Sequence, residues 1–532
     1  MKFLFALLLA LAAAAAGATE SPDVATGESE ATFESVALAL GSASFREKQA
    51  LVERLAGFED PRVPKVLEAL LAGDLHQDPA TGALYVNKND PALLVPAVEA
   101  AAPGSLRKVV TNNSLRGALR PLIAATQLRD ADPAVRTAAA ATLIGGVPPA
   151  LVPTLEKITA AEQHPEVGRA LRTALASVQL ADADPGVRIA AVRLLADHSD
   201  KQILTLLEQR AAVEQEAAVS DELGRAIESL QARERWFAFL GDLFFGLSLG
   251  SVLLLAAVGL AITFGVMGVI NMAHGEMIML GAYTTYVVQL LMPDHIELSL
   301  LVAVPAAFLV SGLMGVAIER GVIRFLYGRP LETLLATFGI SLILQQLVRT
   351  IFSPLNKSVI TPQWLSGSWQ VNGMLSLTYN RLYIILFAIA VLLALVALLR
   401  QTPIGLQMRA VTQNRAMAGS MGIRTGRVDA LTFGLGSGIA GIAGVALSQL
   451  TNVGPNLGQA YIIDSFLVVV FGGVGNLFGT FVAAMGLGVA TKFAEPLVGA
   501  VLAKILILVF VILFIQWRPR GLFALKGRFV GD

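Results

Sequence analysis

Three polar residues that could bind or conduct a solute lie close together inside an apolar stretch. Residues 259–283 read GLAITFGVMGVINMAHGEMIMLGAY and contain Asn271, His274 and Glu276. A carboxylate and an imidazole are costly at membrane depth unless each faces a partner or a water-filled cavity. The five glycines of the stretch allow close approach of neighbouring backbones or a break in the helix. The pattern predicts a broken membrane helix whose polar groups line a pathway or gate.

The same residues also admit a structural interpretation. Glu276 could accept hydrogen bonds from backbone N–H groups that a break at Gly275 leaves free, with His274 or Asn271 as partner. A histidine at this depth is more often a satisfied hydrogen-bonding group than a proton carrier. Two interpretations therefore stay open, a pathway or gate and a structural lock, in both cases near the cytoplasmic end of the first span.

A second glycine-rich break is predicted near the C-terminus. Residues 471–480 read FGGVGNLFGT and join two short apolar runs, which is typical of a broken or re-entrant helix pair. The sequences G-V-I-N ending at Asn271 and G-V-G-N ending at Asn476 are each followed, ten residues on, by a glycine, Gly281 or Gly486. Transporters often have repeated halves whose broken helices meet at the binding site, so Asn476 is a further pathway candidate. Chance similarity is the alternative.

A basic loop at about 400–428 could hold a partner protein. Residues 409–427 read RAVTQNRAMAGSMGIRTGR and predict a short amphipathic helix ending near Gly422. Its small residues would let it dock closely in a groove of the partner, whereas a solvated loop facing lipid headgroups is the alternative. The candidate contacts are Arg409, Arg415, Ala418, Gly419 and Gly422.

The composition shows which elements position these residues. The chain is 55% hydrophobic with a mean hydropathy of +0.65, too apolar for a wholly soluble protein. Only ten of its forty acidic residues follow Gly241, so the charge is concentrated before the apolar part. Nine apolar runs bounded by charges or turn residues predict membrane spans. They lie at about 240–265, 275–292, 298–319, 331–352, 380–399, 429–451, 461–474, 478–494 and 498–516.

The N-terminus and the arginines indicate the same orientation. Residues 1–18, MKFLFALLLALAAAAAGA, combine a lysine, an apolar core and an A-x-A-like site, which is typical of a signal peptide; an uncleaved anchor is the alternative. Arginines cluster in two loops, 320–329 and 400–427, and in the tail after residue 517. Nine spans put all three clusters on one side, which the positive-inside rule makes cytoplasmic.

Residues 19–235 predict a separate, extracytoplasmic helical domain. The pattern D-A-D-P-x-V-R-x-A-A occurs at 130–139 and again at 182–191. Its second aspartate suits an N-cap and its proline the first helical position, so each copy predicts the start of a helix. The copies resemble HEAT-like α-solenoid repeats, and residues 82–90 predict a short hairpin or strand. With no catalytic arrangement of side chains, an interaction or spacer domain is expected.

Three motifs together resemble the permeases of branched-chain amino-acid ABC importers. They are G-x-x-x-x-x-G-x-x-G-x-I-N-M-A-H-G-E around Asn271, R-A-x-x-x-N-x-x-x-A-x-x-x-G-I in the basic loop, and F-G-G-V-G-N-x-x-G-x-x-x-A around Asn476. The resemblance covers about 240–525. A long secreted, HEAT-like extension before such a membrane domain is similar to the urea-transporting branch of the family.

The resemblance implies an all-α, polytopic permease domain at 236–532 in a bacterial inner membrane. The N-terminal domain would be periplasmic and the C-terminus cytoplasmic. A second homologous permease, two cytoplasmic ATPases and a periplasmic solute-binding protein would complete the complex. ATP would bind the ATPase chains, because this chain has no G-x-x-x-x-G-K-[ST] loop, and this chain would bind no cofactor or metal. The basic loop matches the family's ATPase-coupling region, although its E-A-A…G motif is reduced here to Ala418 and Gly422.

The expected function is therefore ATP-driven import of a small solute, with urea placed first. Branched-chain amino acids or short amides are the alternative within the family, and a passive urea or water channel is the alternative outside it. A membrane receptor is a third possibility. An enzyme is not expected, because no nucleophile–base pair or metal-ligand spacing occurs, and nucleic acid is not an expected partner.

Overall fold

A computed structural model describes residues 32–58, 60–79, 82–86, 92–95 and 106–523. The predicted signal peptide, residues 1–18, lies outside the described residues. The chain divides into two compact units, which are Met1–His198 with Thr205–Ala226, and Ser199–Leu204 with Ile227–Asp532.

The N-terminal part is built mainly from short helices. They are α1 (Phe33–Ala39), α2 (Phe45–Leu55), α3 (Val63–Ala72), α4 (Asn113–Gln127), α5 (Pro133–Thr142), α6 (Val152–Ala161), α7 (Pro165–Gln179), α8 (Pro185–Ala196) and α9 (Lys201–Ala211). Leucines and valines of α1 to α4 form one apolar core, and a second core of leucines and alanines lies between α4 and α7. The helices bury their apolar faces in these cores, so the helical character predicted for this region is confirmed, and the HEAT-like arrangement stays a prediction.

A small antiparallel sheet adds to the predicted helices. Its strands are β1 (Leu75–Gln77), β2 (Leu84–Val86), β3 (Ala92–Val95) and β4 (Arg107–Lys108), in the order β3-β2-β1-β4. Strand β2 confirms the strand predicted within residues 82–90. The rest of the sheet was not predicted, because strands of two to four residues are too short to show an alternating pattern.

The repeated D-A-D-P sequence starts two helices in the same way. The carboxylate of Asp132 accepts a hydrogen bond from the backbone N–H of Ala134 at 2.8 Å, and Asp184 accepts one from Gly186 at 2.8 Å. The following proline occupies the first turn of α5 and of α8. Both predicted N-caps are confirmed.

The arginine of each copy connects its helix to two other segments. Arg136 and Arg188 each donate to two carbonyl groups of the loop before their own helix. Each also pairs with a glutamate 26 residues further on, Glu162 and Glu214 respectively, at 3.0 Å. The same network thus occurs twice, and the sequence pattern alone had not indicated the glutamates.

Burial and hydrogen bonding have opposite effects on the pKa of the Glu214 carboxyl group. Burial alone would raise the pKa of its carboxyl, but the N–H of Glu216 and the guanidinium groups of Arg210 and Arg188 outweigh it and lower the pKa from 4.5 to about 2. Because the folded-state pKa is the lower one, the network stabilises the fold above pH 4.5. This contribution is lost as the pH falls toward 2.

The apolar helices follow in the second half of the chain. They are α10 (Ala217–Met267), α11 (His274–Leu291), α12 (Ile296–Gly321), α13 (Pro330–Phe352), α14 (Tyr379–Gln401), α17 (Thr425–Ser448), α18 (Gln459–Gly472), α19 (Leu477–Val498) and α20 (Ala500–Trp517). Two short helices, α15 (Pro403–Gln413) and α16 (Arg415–Ser420), lie before α17, and a hairpin of β5 (Ser368–Asn372) and β6 (Leu375–Thr378) lies before α14.

Each of the nine predicted spans coincides with one of these apolar helices. In the part of the chain that the structure describes, seven helices are long and apolar enough to cross a membrane. The other two are α18, which is short, and α11, whose first turn carries His274 and Glu276. The polytopic helical architecture is confirmed, with two of the nine elements shorter or more polar than a full span.

Helix α17 lies at the centre of this second unit, where glycines let the helix backbones touch. In α17 and α10, 83% of the most apolar segment is buried, against 11% in α20. A Cβ added to Gly259 of α10 would lie 2.3 Å from the carbonyl oxygen of Gly436, and one added to Gly281 of α11 would lie 2.0 Å from that of Gly441. The predicted close approach at the glycines is confirmed.

Arg188→Ala is expected to destabilise the N-terminal unit by about 3 kcal/mol, because it removes a buried cationic partner of Glu214. Arg193→Ala is a matched control on the same helix, since Arg193 is exposed and pairs with Glu222; its cost should stay below about 1 kcal/mol. Hydrogen exchange of the α8 and α9 amides in the full chain at pH 7 measures both. Equal effects would contradict the prediction, and the Arg188→Ala effect should shrink as the pH is lowered toward 2.

Candidate functional site

The helix breaks where the sequence predicted it. Gly268 has a φ of +69°, in the left-handed region that favours glycine, and helix resumes only at His274. The side-chain oxygen of Asn271 accepts a hydrogen bond from the backbone N–H of Ala273 at 3.0 Å. His274 Nε2 lies 2.8 Å from the carbonyl oxygen of Ala256, eleven residues before the end of α10. Helix α11 therefore begins beside α10, about three turns before the end of that helix.

The chain turns back along α10 between the break and the start of α11. Eleven residues of helix separate Ala256, which His274 contacts, from the end of α10, a difference of about 16 Å along the helix axis. The non-helical segment 268–273 accounts for the difference, because six residues of extended chain can reach back about 20 Å. The place of the motif relative to the membrane, near the cytoplasmic end of the first span, stays a prediction.

Contacts with two helices hold the start of α11. A carbonyl oxygen can only accept, so His274 Nε2 carries the proton and donates to Ala256, whereas none of the described residues bonds to Nδ1. A Cβ added to Gly275 would lie 2.7 Å from the carbonyl oxygen of Gly458, at the start of α18. The two short apolar helices therefore begin in contact with each other.

Glu276 is buried, with 1% of its surface exposed. Its Oε1 accepts hydrogen bonds from Ser341 Oγ and from Gln345 Nε2, both at 2.8 Å. Within the described ranges no donor bonds to its Oε2. The structural interpretation expected His274, Asn271 or freed backbone groups as partners, and the structure instead provides two side chains of α13.

These two side chains belong to a polar stripe on α13. Its members recur every fourth residue and share one helix face; they are Thr333, Thr337, Ser341, Gln345 and Arg349. The first four are buried, and Thr337 Oγ1 accepts a hydrogen bond from the N–H of Met272, in the break itself, at 3.1 Å. Sequence reasoning missed the stripe because it searched for charged groups. The signal that could have revealed it is the four-residue recurrence of polar residues in an apolar span.

A cleft of 630 Å³ opens at the C-terminal end of the polar stripe. Its polar lining comes from Arg349, Asn356, Asn452 and Asn456, and Arg349 Nη2 donates to Asn456 Oδ1 at 2.7 Å. Leu457 also lines the cleft and directly precedes the glycine that packs against the start of α11. The cleft thus reaches the stripe one helical turn from Gln345.

Asn476 takes part in a different set of contacts. It caps α19 by accepting from the N–H of Gly479 at 3.1 Å, and its amide donates to the carbonyl oxygen of Phe523 at 3.3 Å. The second break touches α10 three residues before the first break, because a Cβ on Gly265 would lie 2.7 Å from the Cα of Gly475. The breaks are adjacent, but these hydrogen bonds tie Asn476 to its own helix and to the C-terminal segment.

Two of the predicted coupling residues hold the basic loop against its own unit. Arg415 pairs with Asp429, with 2.9 Å between Nη1 and Oδ1, and its guanidinium lies 3.9 Å from the ring centroid of Tyr327. Arg409 donates to the carbonyl group of Leu399. Both arginines therefore make contacts within the chain that the sequence pattern did not specify.

The small residues of the loop are divided between its two faces. Ala418 is 5% exposed and packs in an apolar cluster with Met408 and Val428. Gly422 has a φ of +87° and ends α16, where the N–H of Ile423 bonds to the carbonyl of Ala418 at 3.1 Å. The helix end predicted near Gly422 is confirmed.

The outward face of α16, meaning the exposed surface that the packing of Ala418 leaves uncovered, includes Met417, Gly419 and, at the C-cap, Met421. The two methionines are 60% and 78% exposed, and a Cβ added to Gly419 would meet nothing within 4 Å. The methionines were not predicted as contacts, although flexible, polarisable methionine side chains are common on binding surfaces.

The fold and the site together define a polytopic helical membrane protein with a discontinuous helix around a buried polar centre. Transport proteins characteristically combine these features. Among the described residues, no group of three or more His, Asp and Glu side chains could hold a metal ion.

Comparison with known proteins identifies the family. The permease component of branched-chain amino acid transport systems matches residues 243–515, and the chain belongs to this family. The high-affinity branched-chain amino acid transport system permease protein LivH of Salmonella typhimurium is 32% identical over 301 residues, covering 54% of this chain and 96% of the relative. BraD of Pseudomonas aeruginosa is 30% identical over 297 residues with the same coverage. No solved structure matches the chain.

Gly281→Val is expected to reduce the yield of folded protein sharply. Its side chain would collide with the backbone of Gly441, and overpacking of this kind costs about 1–3 kcal/mol or more. Gly486→Val is the matched control, because Gly486 is the corresponding glycine of the second break and a Cβ there meets nothing within 4 Å. Size-exclusion chromatography of detergent-extracted protein measures both, and equal yields would contradict the prediction.

Proposed function

We propose that this protein is a permease subunit of an ATP-driven importer that carries urea across the bacterial inner membrane. Membership of the permease family supports the transport role. The observation that carries the proposal is Glu276, a carboxylate buried at the break between α10 and α11. Intramembrane ionisable groups are costly and occur mainly where a solute or ion passes.

The polar character of the centre favours urea over a branched-chain amino acid. A branched aliphatic side chain is bound best by an apolar pocket, whereas Ser341 and Gln345 surround Glu276 and asparagines line the cleft. The long region before residue 243, which the family match does not cover, is similar in arrangement to the extension of the urea-transporting branch. Branched-chain amino acids, after which the relatives are named, are the second candidate solutes.

The proposed complex contains a second homologous permease, two ATPase chains that bind ATP, and a solute-binding protein. The membership of an ABC importer family supports these partners in general. The outward face of α16 is the proposed ATPase contact. It is exposed, its glycine allows close approach of a partner, and the Arg415–Asp429 pair holds α16 in place.

Arginines indicate the orientation that we propose. Arg320, Arg324, Arg424 and Arg427 surround one cavity beside α16, and the positive-inside rule makes this end cytoplasmic. The cleft at the other end of α13 then faces the periplasm, where the solute-binding protein would deliver urea. The N-terminal helical domain would lie on that same side, after a signal peptide at 1–18.

Uptake of labelled urea and leucine tests this function. A strain that lacks the gene should lose urea uptake, recover it when the gene is restored, and lose it again when ATP is depleted. Recovery of leucine uptake alone would overturn the choice of solute and keep the importer. Urea flux that persists without ATP would indicate a passive channel instead.

Gly419→Trp is expected to lower ATPase co-purification and urea uptake by about tenfold, because a bulky side chain on the outward face of α16 would obstruct docking. Gly419 suits this test better than Gly422, whose left-handed backbone would be strained by any side chain. Gly117→Trp, at an exposed and open glycine of α4, is the matched control. Normal assembly of the Gly419→Trp protein would contradict the docking role.

A further inference from the structure

One carboxylate oxygen of Glu276 accepts hydrogen bonds, and the other has no hydrogen-bond donor among the described residues. Oε1 receives two hydrogen bonds from α13, whereas no described donor bonds to Oε2. A buried polar atom without a partner costs free energy comparable to a lost hydrogen bond, and more when the group is charged. The bonds to Oε1 hold the carboxylate in place, so Oε2 is positioned to accept a donor from outside the chain.

A row of polar side chains on α13 leads from the cleft toward Glu276. The polar stripe of α13 extends from Thr333 to Arg349, which is about 24 Å at 1.5 Å per residue. Glu276 accepts hydrogen bonds from two members of the stripe, Ser341 and Gln345. Gln345 lies one helical turn before Arg349, which lines the cleft. Leu457, Arg349 and Asn456 line the cleft, and Arg349 donates a hydrogen bond to Asn456 there.

We infer that Glu276, Ser341 and Gln345 form an occluded binding site for a small neutral solute with N–H donors, such as urea. This inference rests on the proposed function and adds the site and the chemistry of recognition. An N–H group of the solute donates to Glu276 Oε2, and the hydroxyl of Ser341 and the amide of Gln345 orient the carboxylate through Oε1. The solute enters from the cleft when the Arg349–Asn456 contact opens.

The recognition explains why Ser341 and Gln345 both donate to the same oxygen. Their bonds fix the carboxylate plane and leave Oε2 free, and a charge-assisted hydrogen bond to an ionised acceptor is stronger than one between neutral groups. A solute that carries no N–H donor leaves Oε2 unpaired and is rejected. Tetramethylurea should therefore fail to compete with urea for uptake, whereas N-methylurea should compete.

The absence of cysteine from the sequence allows a direct test. Ser341→Cys in the assembled importer is expected to react with methyl methanethiosulfonate. Urea at about ten times its KM should slow the reaction about tenfold, because about one site in ten then remains free. Ser311→Cys is the matched control, since Ser311 is also fully buried and bonds to the carbonyl of Met277, but from α12. Mass spectrometry of this chain measures both rates.

Urea protection at position 341 and not at 311 would support the site. Absence of protection at 341, in a complex that transports urea, would overturn the site and leave the proposed function intact. Protection by leucine and not by urea would overturn the neutral-amide assignment together with the proposed solute.

Glu276→Gln provides a second measurement in the same complex. The variant keeps the shape and one acceptor oxygen but places an NH₂ group where the free oxygen was. The KM for urea should rise about tenfold to a hundredfold, as expected for loss of a hydrogen bond to a charged group, with ATPase assembly unchanged. Glu319→Gln, at another buried carboxylate far along α12, should leave the KM unchanged. An unaltered KM in Glu276→Gln would overturn the binding role.

Discussion

A carboxylate buried among apolar helices must be hydrogen-bonded or meet a polar solute, and the second unit is arranged around this requirement. Glu276 is brought against α13 because α10 ends at Met267, before the break at Gly268, and the chain returns along α10 before α11 begins. The polar stripe of α13 then supplies Ser341 and Gln345. Break, return segment and stripe are three parts of one arrangement, and each would be unfavourable without the others.

Close backbone packing makes that arrangement possible. The starts of α11 and α18 touch at Gly275 and Gly458, and α17 touches its neighbours at glycines that include Gly436 and Gly441. Without water to drive apolar association inside a bilayer, such contacts and the buried hydrogen bonds supply much of the stability. The same packing leaves two short helices that begin next to each other below a polar cleft. Tightly packed helices around the short contact between the starts of α11 and α18 suit a transport protein.

The site and the proposed coupling surface lie toward opposite ends of α13. The cleft opens beside Arg349, near the C-terminal end of α13. The arginine-rich cavity is lined by residues of the segments that follow α12 and precede α17. Helix α17 connects the two regions directly, because Asp429 near its start pairs with Arg415 and its glycines pack against α11. Movement of α16 would therefore act on the same helix that packs against α11 at Gly281.

The apolar helices, both glycine-rich breaks, the two aspartate N-caps and the family could all be predicted from the residues alone, because each depends on residues close together in the chain. The partners of Glu276 were decided only by the tertiary structure, since Ser341 and Gln345 are 65 and 69 residues away. The position of His274 beside Ala256 likewise depends on the return of the chain along α10, which the periodicity of the sequence does not encode. Local order follows from local residue types, whereas a buried charge takes its partners from whichever helix the packing places beside it.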